Sequence, residues 1–433
     1  MRIHAATLFL SRSAFLPLLV AAIATPAIAT ADDASAPWAR FRGQTLDSNV
    51  GKVCYAVATA DVNGDGKRDV TAVTEDAVVW FENGSWAKKD IIRNATEKDN
   101  VCLQPQDIDG DGKIDFALGA AWRPTDTKAG GTLQWLKRQG DGWRVMPILS
   151  EPTMHRIRWG DVLGKGKPQL IAAPLQGRGT KAPNWNQGAG VRILVLTVPD
   201  NPARDPWPVE VADESLHTTH NLEIVDFDGD KKLDILICAW EGVFVLQRGS
   251  DGRWTKTKIG EGNQQAEPFK GTSEIKLGSL ADGRKFAAAV EPWHGSQAVI
   301  YLAPAKSTTT ATPDKLWERI AIDEPLNGGH AVWVANLDGD ADQEVIVGHR
   351  DKNKDGVKTP VGPSVIVYDP KPSTDGGRLT FERHVIDDGG VAVEDLMADD
   401  LDGDGRADII AGGRATRNVK IYWNQGPEPK ASR

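Results

Sequence analysis

The chain has 433 residues and a formal net charge of −9, from 60 acidic side chains against 51 lysines and arginines. So acidic a chain is repelled by nucleic acid and by anionic membrane surfaces, and we expect neither as a partner. Its three cysteines are too few for a disulfide framework. One bridge between Cys54 and Cys102 is compatible with an oxidising compartment, and Cys238 lies in an apolar run that predicts a core position.

Residues 1–29 have the pattern of a secretory signal. Arg2 and Arg12 form its positive region, an apolar stretch follows, and Ala27 and Ala29 frame a small-residue cleavage site. The apolar stretch is too short to span a bilayer. We therefore expect an exported protein, periplasmic or extracellular, without a membrane-spanning segment. Loss of two arginines changes the charge from −9 to −11 (−9 − 2).

An acidic loop of nine residues recurs along the chain. Intact copies carry carboxylate or amide side chains at positions 1, 3, 5 and 9, a spacing that turns alternate oxygens toward a hard cation. Alternating apolar runs flank each loop, so each is predicted to close a β-hairpin and to hold a structural Ca²⁺ ion. The predicted ligands are Asp61, Asn63, Asp65, Asp69, Asp107, Asp109, Asp111, Asp115, Asp226, Asp228, Asp230, Asp234, Asn336, Asp338, Asp340, Glu344, Asp400, Asp402, Asp404 and Asp408.

Two degraded copies of the loop begin at Asp161 and Lys276, which makes seven copies in all. A different interpretation of every copy is that its aspartates and glycines form tight turns through side-chain to backbone hydrogen bonds. In both cases the loops have a structural role on one face of the molecule.

A second repeat agrees with this count. An aromatic residue is followed five positions later by an aliphatic residue or alanine in seven places, the first at Phe41 and the last at Phe381. With two further strand-like segments in each unit, this predicts a seven-bladed β-propeller of four strands per blade over residues 30–426, followed by a tail at 427–433. Because the first aromatic strand precedes the first loop, the N-terminal strand is expected to complete the last blade and close the ring.

The loops of the form D-x-[DN]-G-D-G resemble those of the FG-GAP/VCBS repeat family of propellers. More narrowly, HTTHN at 217–221, GGHAVWVANLDGD at 328–340 and VAVEDLMADDLDGDGRADIIAGGR at 391–414 are similar to the propeller domain of the aldos-2-ulose dehydratases. That resemblance implies calcium in the loops and chemistry on keto-sugars. The sequence shows no cupin domains after the seventh unit, which leaves open any step that those domains support in that family.

The residue six places before each loop begins the innermost predicted strand. These residues are Tyr55, Val101, His155, His220, Lys270, His330 and Glu394, where the assignment of Lys270 assumes an insertion in its repeat. Equivalent positions in a closed ring face the axis, so His155, His220, His330 and Glu394 are predicted to converge there. Three imidazoles and a carboxylate suit Zn²⁺ or another divalent transition metal. A single histidine of this kind is usually structural, as we expect for His384 in an outer strand.

The turns between the second and third strands are predicted to lie on the same face as this cluster. Tryptophan rings suit the apolar faces of a sugar, and arginine forks suit its oxygens. The predicted substrate-binding residues are Trp122, Trp240, Glu241, Trp293 and His349. The predicted catalytic residues are His217, His220, His294, Arg123, Arg178, Arg350 and Arg414.

The sequence favours an exported lyase or dehydratase that acts by β-elimination on a keto-sugar or uronate. A metal would polarise the carbonyl, His217 or His294 would take the proton, and the arginines would orient the substrate. A second hypothesis is a non-catalytic, calcium-stabilised propeller that binds a glycan or a protein at the cell envelope. Glycoside hydrolysis by Glu241 and Glu394 is the least favoured of the three.

Overall fold

The computed structural model describes residues 38–427, apart from 268, 305–314, 325, 327, 351–361 and 372–377. The predicted signal at 1–29 and residues 428–433 of the predicted tail lie outside the described residues. The described part of the chain forms 28 strands in seven four-stranded antiparallel sheets. The prediction of a seven-bladed β-propeller is therefore confirmed.

The strands follow one another without helices in the described residues. In chain order they are β1 (Phe41–Asp47), β2 (Ala56–Ala60), β3 (Asp69–Val73), β4 (Ala77–Phe81), β5 (Lys88–Arg93), β6 (Cys102–Gln106), β7 (Asp115–Ala120), β8 (Thr132–Gln139), β9 (Gly142–Ser150), β10 (Met154–Gly160), β11 (Gln169–Pro174), β12 (Val191–Leu196), β13 (Val209–Leu216), β14 (Leu222–Val225), β15 (Asp234–Ala239), β16 (Gly242–Arg248), β17 (Trp254–Gly260), β18 (Glu274–Ser279), β19 (Lys285–Glu291), β20 (Gln297–Leu302), β21 (Glu318–Asp323), β22 (Gly329–Ala335), β23 (Glu344–His349), β24 (Ser364–Lys371), β25 (Thr380–Asp388), β26 (Val393–Asp399), β27 (Asp408–Gly413) and β28 (Val419–Asn424).

Six blades are built from four consecutive strands each, starting with β2–β5 as blade 1 and ending with β22–β25 as blade 6. The innermost strands β2, β6, β10, β14, β18, β22 and β26 each contact the next around the ring, and β26 contacts β2. The start of every innermost strand therefore lies at one end of a common axis.

Blade 7 is completed by the N-terminal strand, as predicted. Its sheet has the order β1-β28-β27-β26, and β1 runs antiparallel to β28 with Phe41 opposite Asn424. The side chain of Trp423 donates from Nε1 to Gln44 Oε1 at 2.8 Å across this pair. The first and last parts of the propeller are thus joined by a ladder of backbone hydrogen bonds, which removes an open sheet edge.

The strands differ in burial according to their place in the blade. The second strands, such as β3 and β15, are buried at every position. Neighbouring blades cover both faces of these strands, so their sequences are mostly apolar after a polar first residue. Outer strands such as β9 and β25 alternate between exposed and half-buried residues. The core consequently lies between the blades, in seven apolar clusters.

All three cysteines are buried and unpaired. Cys54 and Cys102 belong to different inter-blade clusters, so the bridge considered between them does not form. Cys238 lies in the core of β15 with no exposed surface, as predicted. Among the described residues, no helix has the length and apolarity needed to cross a membrane.

Candidate active site on the propeller axis

Four of the predicted axial residues lie side by side where the innermost strands begin. His155, His220, His330 and Glu394 are each at most 5% exposed. The rings of His155 and His220 have centroids 4.6 Å apart, and those of His220 and His330 lie 5.3 Å apart. The prediction that equivalent repeat positions bring these side chains together on the axis is therefore correct.

His294 joins this cluster from the turn between β19 and β20. Its φ of 52° lies in the left-handed region, which turns the side chain back toward the axis. His294 Nε2 lies 2.9 Å from His220 Nε2, and its ring centroid is 4.7 Å from that of His330. His220, His294 and His330 place one ring nitrogen each within 4.8 Å of one another. This trio, rather than the predicted set with His155, has the closest donor atoms.

The tautomers of three axial histidines are fixed by the neighbouring blade. His155 Nδ1 lies 3.0 Å from the carbonyl of His220, His220 Nδ1 lies 2.9 Å from that of Ser273, and His330 Nδ1 lies 2.6 Å from that of Glu394. A carbonyl oxygen only accepts hydrogen bonds, so each Nδ1 carries the proton. Each Nε2 is left with a lone pair, which is the form in which histidine binds metals.

Burial keeps these imidazoles uncharged. It lowers the pKa of His155, His220, His294 and His330 well below the ordinary histidine value. Arg156 lowers the pKa of His155 and His220 further by charge repulsion. The cluster therefore consists of neutral imidazoles at neutral pH.

Glu274 is a buried carboxyl group that the sequence interpretation missed. Only five residues (280–284) separate β18 from β19, against eight (61–68) between β2 and β3, so this repeat has a shortened loop and no insertion. The equivalent of His220 in blade 5 is consequently Glu274, and the assignment of Lys270 to this position is wrong. Glu274 Oε1 lies 2.8 Å from His220 Nδ1, and Asn221 Nδ2 donates to Glu274 Oε2. Burial raises the pKa of Glu274 to about 7.

Glu394 combines an ion pair with a free oxygen. Arg414 Nη1 donates to its Oε1 at 2.6 Å, and the same oxygen lies 4.0 Å from His330 Nε2. Its Oε2 is buried and has no hydrogen-bond partner among the described residues. Burial raises the pKa of Glu394, which makes its carboxylate a better proton acceptor.

The four histidines line a cavity of about 250 Å³ together with Glu394 and Arg414. Trp122 forms part of its wall and stacks on His155 with ring centroids 4.7 Å apart. Trp293 and Arg350 also line it, and Trp293 Nε1 is buried without a hydrogen-bond partner among the described residues. Two indole rings, three arginines and an unpartnered indole N–H give this cavity both apolar and polar surfaces, as a sugar ring requires.

The remaining predicted residues lie outside the lining of this cavity. Arg123 is bound to Glu97, and Arg178 donates to Glu151 at 2.8 Å. His217 Nδ1 lies 2.6 Å from Glu241 Oε1, so these two side chains pair with each other. Because Glu241 lies outside the cavity that Glu394 lines, the carboxylate pair considered for glycoside hydrolysis is not assembled there.

Trp240 and His349 are buried apart from the cavity. Trp240 is 7% exposed, and its backbone N–H donates to the His217 carbonyl. His349 is 3% exposed, and burial lowers its pKa to about 4. Neither side chain lines the axial cavity.

A second cavity of about 260 Å³ continues along the axis beyond the histidines. Arg156 lines both cavities, and Arg158, Lys276 and Glu223 line the second one. Lys276 Nζ lies 3.5 Å from Glu223 Oε1, and the Trp333 ring is 4.1 Å from the same nitrogen. Apart from alternation in the innermost strands, no pattern in the sequence predicts this charged channel.

The acidic loops on the opposite face share one hydrogen-bond pattern. In the first loop, Asp61 accepts the backbone N–H groups of Gly64 and Gly66 at 2.7 and 2.8 Å. Asp69, at position 9, accepts from the backbone N–H groups of Val62 and Asn83. The turn interpretation therefore accounts for the side chains at positions 1 and 9 of this loop.

Other loops leave buried oxygens unmatched. In the sixth blade, Asp338 Oδ2 and Glu344 Oε1 have no hydrogen-bond partner among the described residues, and burial raises the pKa of Glu344 to about 9. Asp109 Oδ1 and Asp115 Oδ2 in the second blade also have no hydrogen-bond partner among the described residues. A cation would compensate such groups, so the donor sets of these two loops fit Ca²⁺.

Comparison with known proteins agrees with this geometry. The family model of the aldos-2-ulose dehydratase β-propeller domain matches residues 130–304, and that of the FG-GAP-like repeat matches residues 61–118. The chain resembles the aldos-2-ulose dehydratase propeller. The curated aldos-2-ulose dehydratase of Phanerodontia chrysosporium is 28% identical over 237 residues, which cover 50% of this chain and 25% of that protein. The match thus spans about a quarter of the relative.

Solved structures show the same fold at low identity. BBS1N, in its complex with ARL6DN, has a TM-score of 0.52 at 12% identity and covers 92% of this chain and 98% of its own. Virginiamycin B lyase from Staphylococcus aureus has a TM-score of 0.50 at 11% identity and covers 88% of this chain and 99% of its own. These identities relate the proteins by their fold alone.

Proposed function

We propose that this chain is an exported carbohydrate-active lyase or dehydratase, which eliminates a β-substituent from a keto-sugar or uronate in the axial cavity. The observation that carries the proposal is the buried, neutral histidine cluster beside three arginines and a carboxylate with a free oxygen. The similarity to the aldos-2-ulose dehydratase propeller supports a carbohydrate substrate.

The donor set of the cavity fits a divalent transition metal. Three imidazole nitrogens lie within 4.8 Å of one another, and Nδ1 of two of these rings is held by a backbone carbonyl. His220, His294 and His330 would hold the ion, with Zn²⁺ the most suitable for this set. When bound, such an ion acts as a Lewis acid on a carbonyl oxygen of the substrate.

The protein's own groups provide the proton transfer and the orientation. Glu394 Oε2 takes the proton from the carbon beside the carbonyl, and the C–H electron pair moves onto the carbonyl oxygen. Arg350 and Arg414 stabilise the negative charge that develops on that oxygen. The electron pair then returns to form the carbon–carbon double bond and expels the β-hydroxyl group, which takes the proton from Glu394 and leaves as water. Trp122 and Trp293 hold the sugar ring by its apolar faces.

We also propose that Ca²⁺ stiffens the acidic loops on the opposite face. The unmatched oxygens of Asp109, Asp115, Asp338 and Glu344 support this role. The role is structural, because the acidic loops and the axial cavity lie at opposite ends of the innermost strands.

The test is turnover of aldos-2-uloses and uronates, followed by ultraviolet absorbance of the conjugated product. Glu394→Gln keeps the shape of the side chain but cannot accept the proton, so kcat should fall about 10²- to 10⁴-fold, the usual contribution of a general base. Arg178→Gln, which lies outside the cavity, is the matched control and should retain activity. Binding of these sugars without turnover by the wild type would instead support the glycan-binding module.

A further inference from the structure

A second group of metal-binding side chains lies on the outer strands of blade 6. Asp369 on β24 pairs with Glu382 on β25, and His384 follows two residues later on the same strand. Residues paired across strands, and those two apart on one strand, project from the same face of a sheet. The three side chains therefore meet on one side of the blade.

The three donor atoms surround a space without bonding to one another. His384 Nε2 lies 3.8 Å from Asp369 Oδ2 and 4.0 Å from Glu382 Oε1, both beyond hydrogen-bond distance. Ligands bound tetrahedrally at about 2.0–2.2 Å from zinc lie roughly 3.3–3.6 Å apart. A contraction of about half an ångström would thus bring His384 Nε2 to this spacing from each carboxylate oxygen, and all three donor atoms already lie within 4.8 Å of one another.

Two buried atoms of this group lack hydrogen-bond partners. Asp369 is only 1% exposed, and its Oδ1 has no partner among the described residues. His384 Nε2 is likewise buried and without one. A buried polar atom left in this state costs free energy, so a ligand that satisfies both atoms would be bound favourably.

The imidazole of His384 is held in place by the N-terminal segment. The ring of Trp38 stacks on it with centroids 3.8 Å apart and an angle of 5° between the planes. Trp38 lies just before β1, the outer strand of blade 7. The stack therefore presents His384 in one orientation, as a ligand site requires, and connects blade 6 with the strand that closes the ring.

Lys371 is the cation that now occupies part of this site. Its Nζ contacts Asp369 Oδ2 and lies 4.0 Å from Glu382 Oε2. Its N–H groups are directed to the two carboxylates, and His384 Nε2 remains without a hydrogen-bond partner among the described residues. The long lysine side chain can turn away into solvent at little cost when a divalent ion enters.

We propose that Asp369, Glu382 and His384 bind one divalent transition-metal ion of the zinc class. The imidazole favours such an ion over Ca²⁺, which prefers oxygen ligands alone. The bound ion would fasten the segment at Trp38 to blade 6 and so stabilise the closing seam of the ring. This site is separate from the axial cavity and does not depend on the proposed reaction.

The test is calorimetric titration of the metal-stripped full-length chain with Zn²⁺, in excess Ca²⁺ to saturate the acidic loops. His384→Phe is the matched variant, because it keeps an aromatic ring against Trp38 and removes the ligand atom. We expect the wild type to bind one more equivalent of Zn²⁺ than His384→Phe. Equal stoichiometry in the two proteins would overturn the proposal.

Two further measurements test the site without relying on the folding of His384→Phe. Lys371→Met removes the competing ammonium and should tighten Zn²⁺ binding at this site several-fold, whereas weaker binding would contradict the proposal. In crystals of the wild type grown with Zn²⁺, anomalous scattering at the zinc edge should show a peak among the three side chains. A map with zinc on the axis and none at His384 would also overturn it.

Discussion

Each axial histidine that donates from Nδ1 to a carbonyl of the next blade loses its freedom to change tautomer. His220 differs from the others because Glu274 also contacts its Nδ1, at 2.8 Å, while Asn221 holds the far oxygen of that carboxyl group. Glu274 does not line the axial cavity. In the proposed reaction it is therefore a positioning residue, which acts through the ring of His220.

We predict that Glu274→Gln weakens metal binding at the axial site about 10- to 100-fold, the range found for partners of metal-bound histidines. The amide keeps the size of the side chain but accepts a hydrogen bond less strongly and can rotate its NH₂ group toward Nδ1. The measurement is titration of the stripped protein with Co²⁺, followed by its visible absorption. Glu223→Gln, in the neighbouring channel, is the control that should leave the Co²⁺ affinity unchanged. If Glu274→Gln and the wild type bind Co²⁺ with equal affinity, Glu274 does not position His220 for metal binding.

The buried carboxylate of Glu394 predicts how kcat depends on pH. Burial raises its pKa, so the group is protonated over more of the acidic range than an ordinary glutamate. The proposed elimination needs the ionised form, and kcat should rise with pH as Glu394 loses its proton. In Glu394→Asp, which keeps the carboxylate but shortens it, the residual activity should retain this rise. A pH profile that is flat in the wild type would contradict the assignment of Glu394 as the proton acceptor.

At the scale of elements, the position-9 carboxylates couple the acidic loops to pH. Burial raises the pKa of Asp234 to about 6, above the ordinary value of 3.8. The folded protein therefore holds this proton more tightly than the unfolded chain does. The resulting stabilisation is complete below about pH 4 and is lost as pH rises through about 6.

We predict that, in a calcium chelator, the Asp234→Asn variant loses less stability than the wild type between pH 4 and pH 7. The free energy of unfolding of the wild type should fall by on the order of 1–2 kcal/mol more than that of the variant over this range. Urea denaturation at both pH values measures it. Added Ca²⁺, which binds the ionised carboxylate, should stabilise the wild type at pH 7 more than the variant.

A matched control lies in the same loop. Asp230 is exposed, and Lys232 lowers its pKa by a hydrogen bond, so Asp230→Asn should not reproduce the effect. If Asp234→Asn and the wild type have the same pH dependence in chelator, the buried carboxylate does not control the stability of this hairpin.

The elements also show what the sequence could and could not predict. The number of blades could be predicted from the number of acidic loops, because each loop joins the first and second strands of one blade. The fifth loop is shorter, so counting residues back from it gave Lys270 in place of Glu274. The position of His294 depends on a left-handed turn residue, and the pairing of His217 with Glu241 depends on two separate loops. Neither is visible in a repeat pattern.

At the scale of the whole molecule, closure of the ring rests on one strand. β1 is far from β28 in sequence but completes its sheet, with Phe41 opposite Asn424 and Asp47 opposite Val419. The axial cavity depends on this closure, because Glu394 and Arg414 belong to blade 7, next to Tyr55 of blade 1.

We predict that deletion of residues 1–47, which removes β1, lowers the melting temperature by more than 10 °C and promotes aggregation through the exposed edge of β28. Deletion of residues 1–36 retains β1 and is the matched control. Calorimetry and light scattering distinguish the two proteins. An unchanged melting temperature and a monodisperse product after removal of β1 would show that the closing strand is dispensable.

We propose above that three axial histidines, His220, His294 and His330, form one metal-binding centre. The decisive measurement is elemental mass spectrometry of the purified wild type, beside a His220→Ala/His294→Ala/His330→Ala variant whose circular dichroism matches the wild type. We predict calcium in both proteins, with one equivalent of a transition metal at the axis lost from the variant. The same transition-metal content in both proteins, or none in either, would contradict the claim.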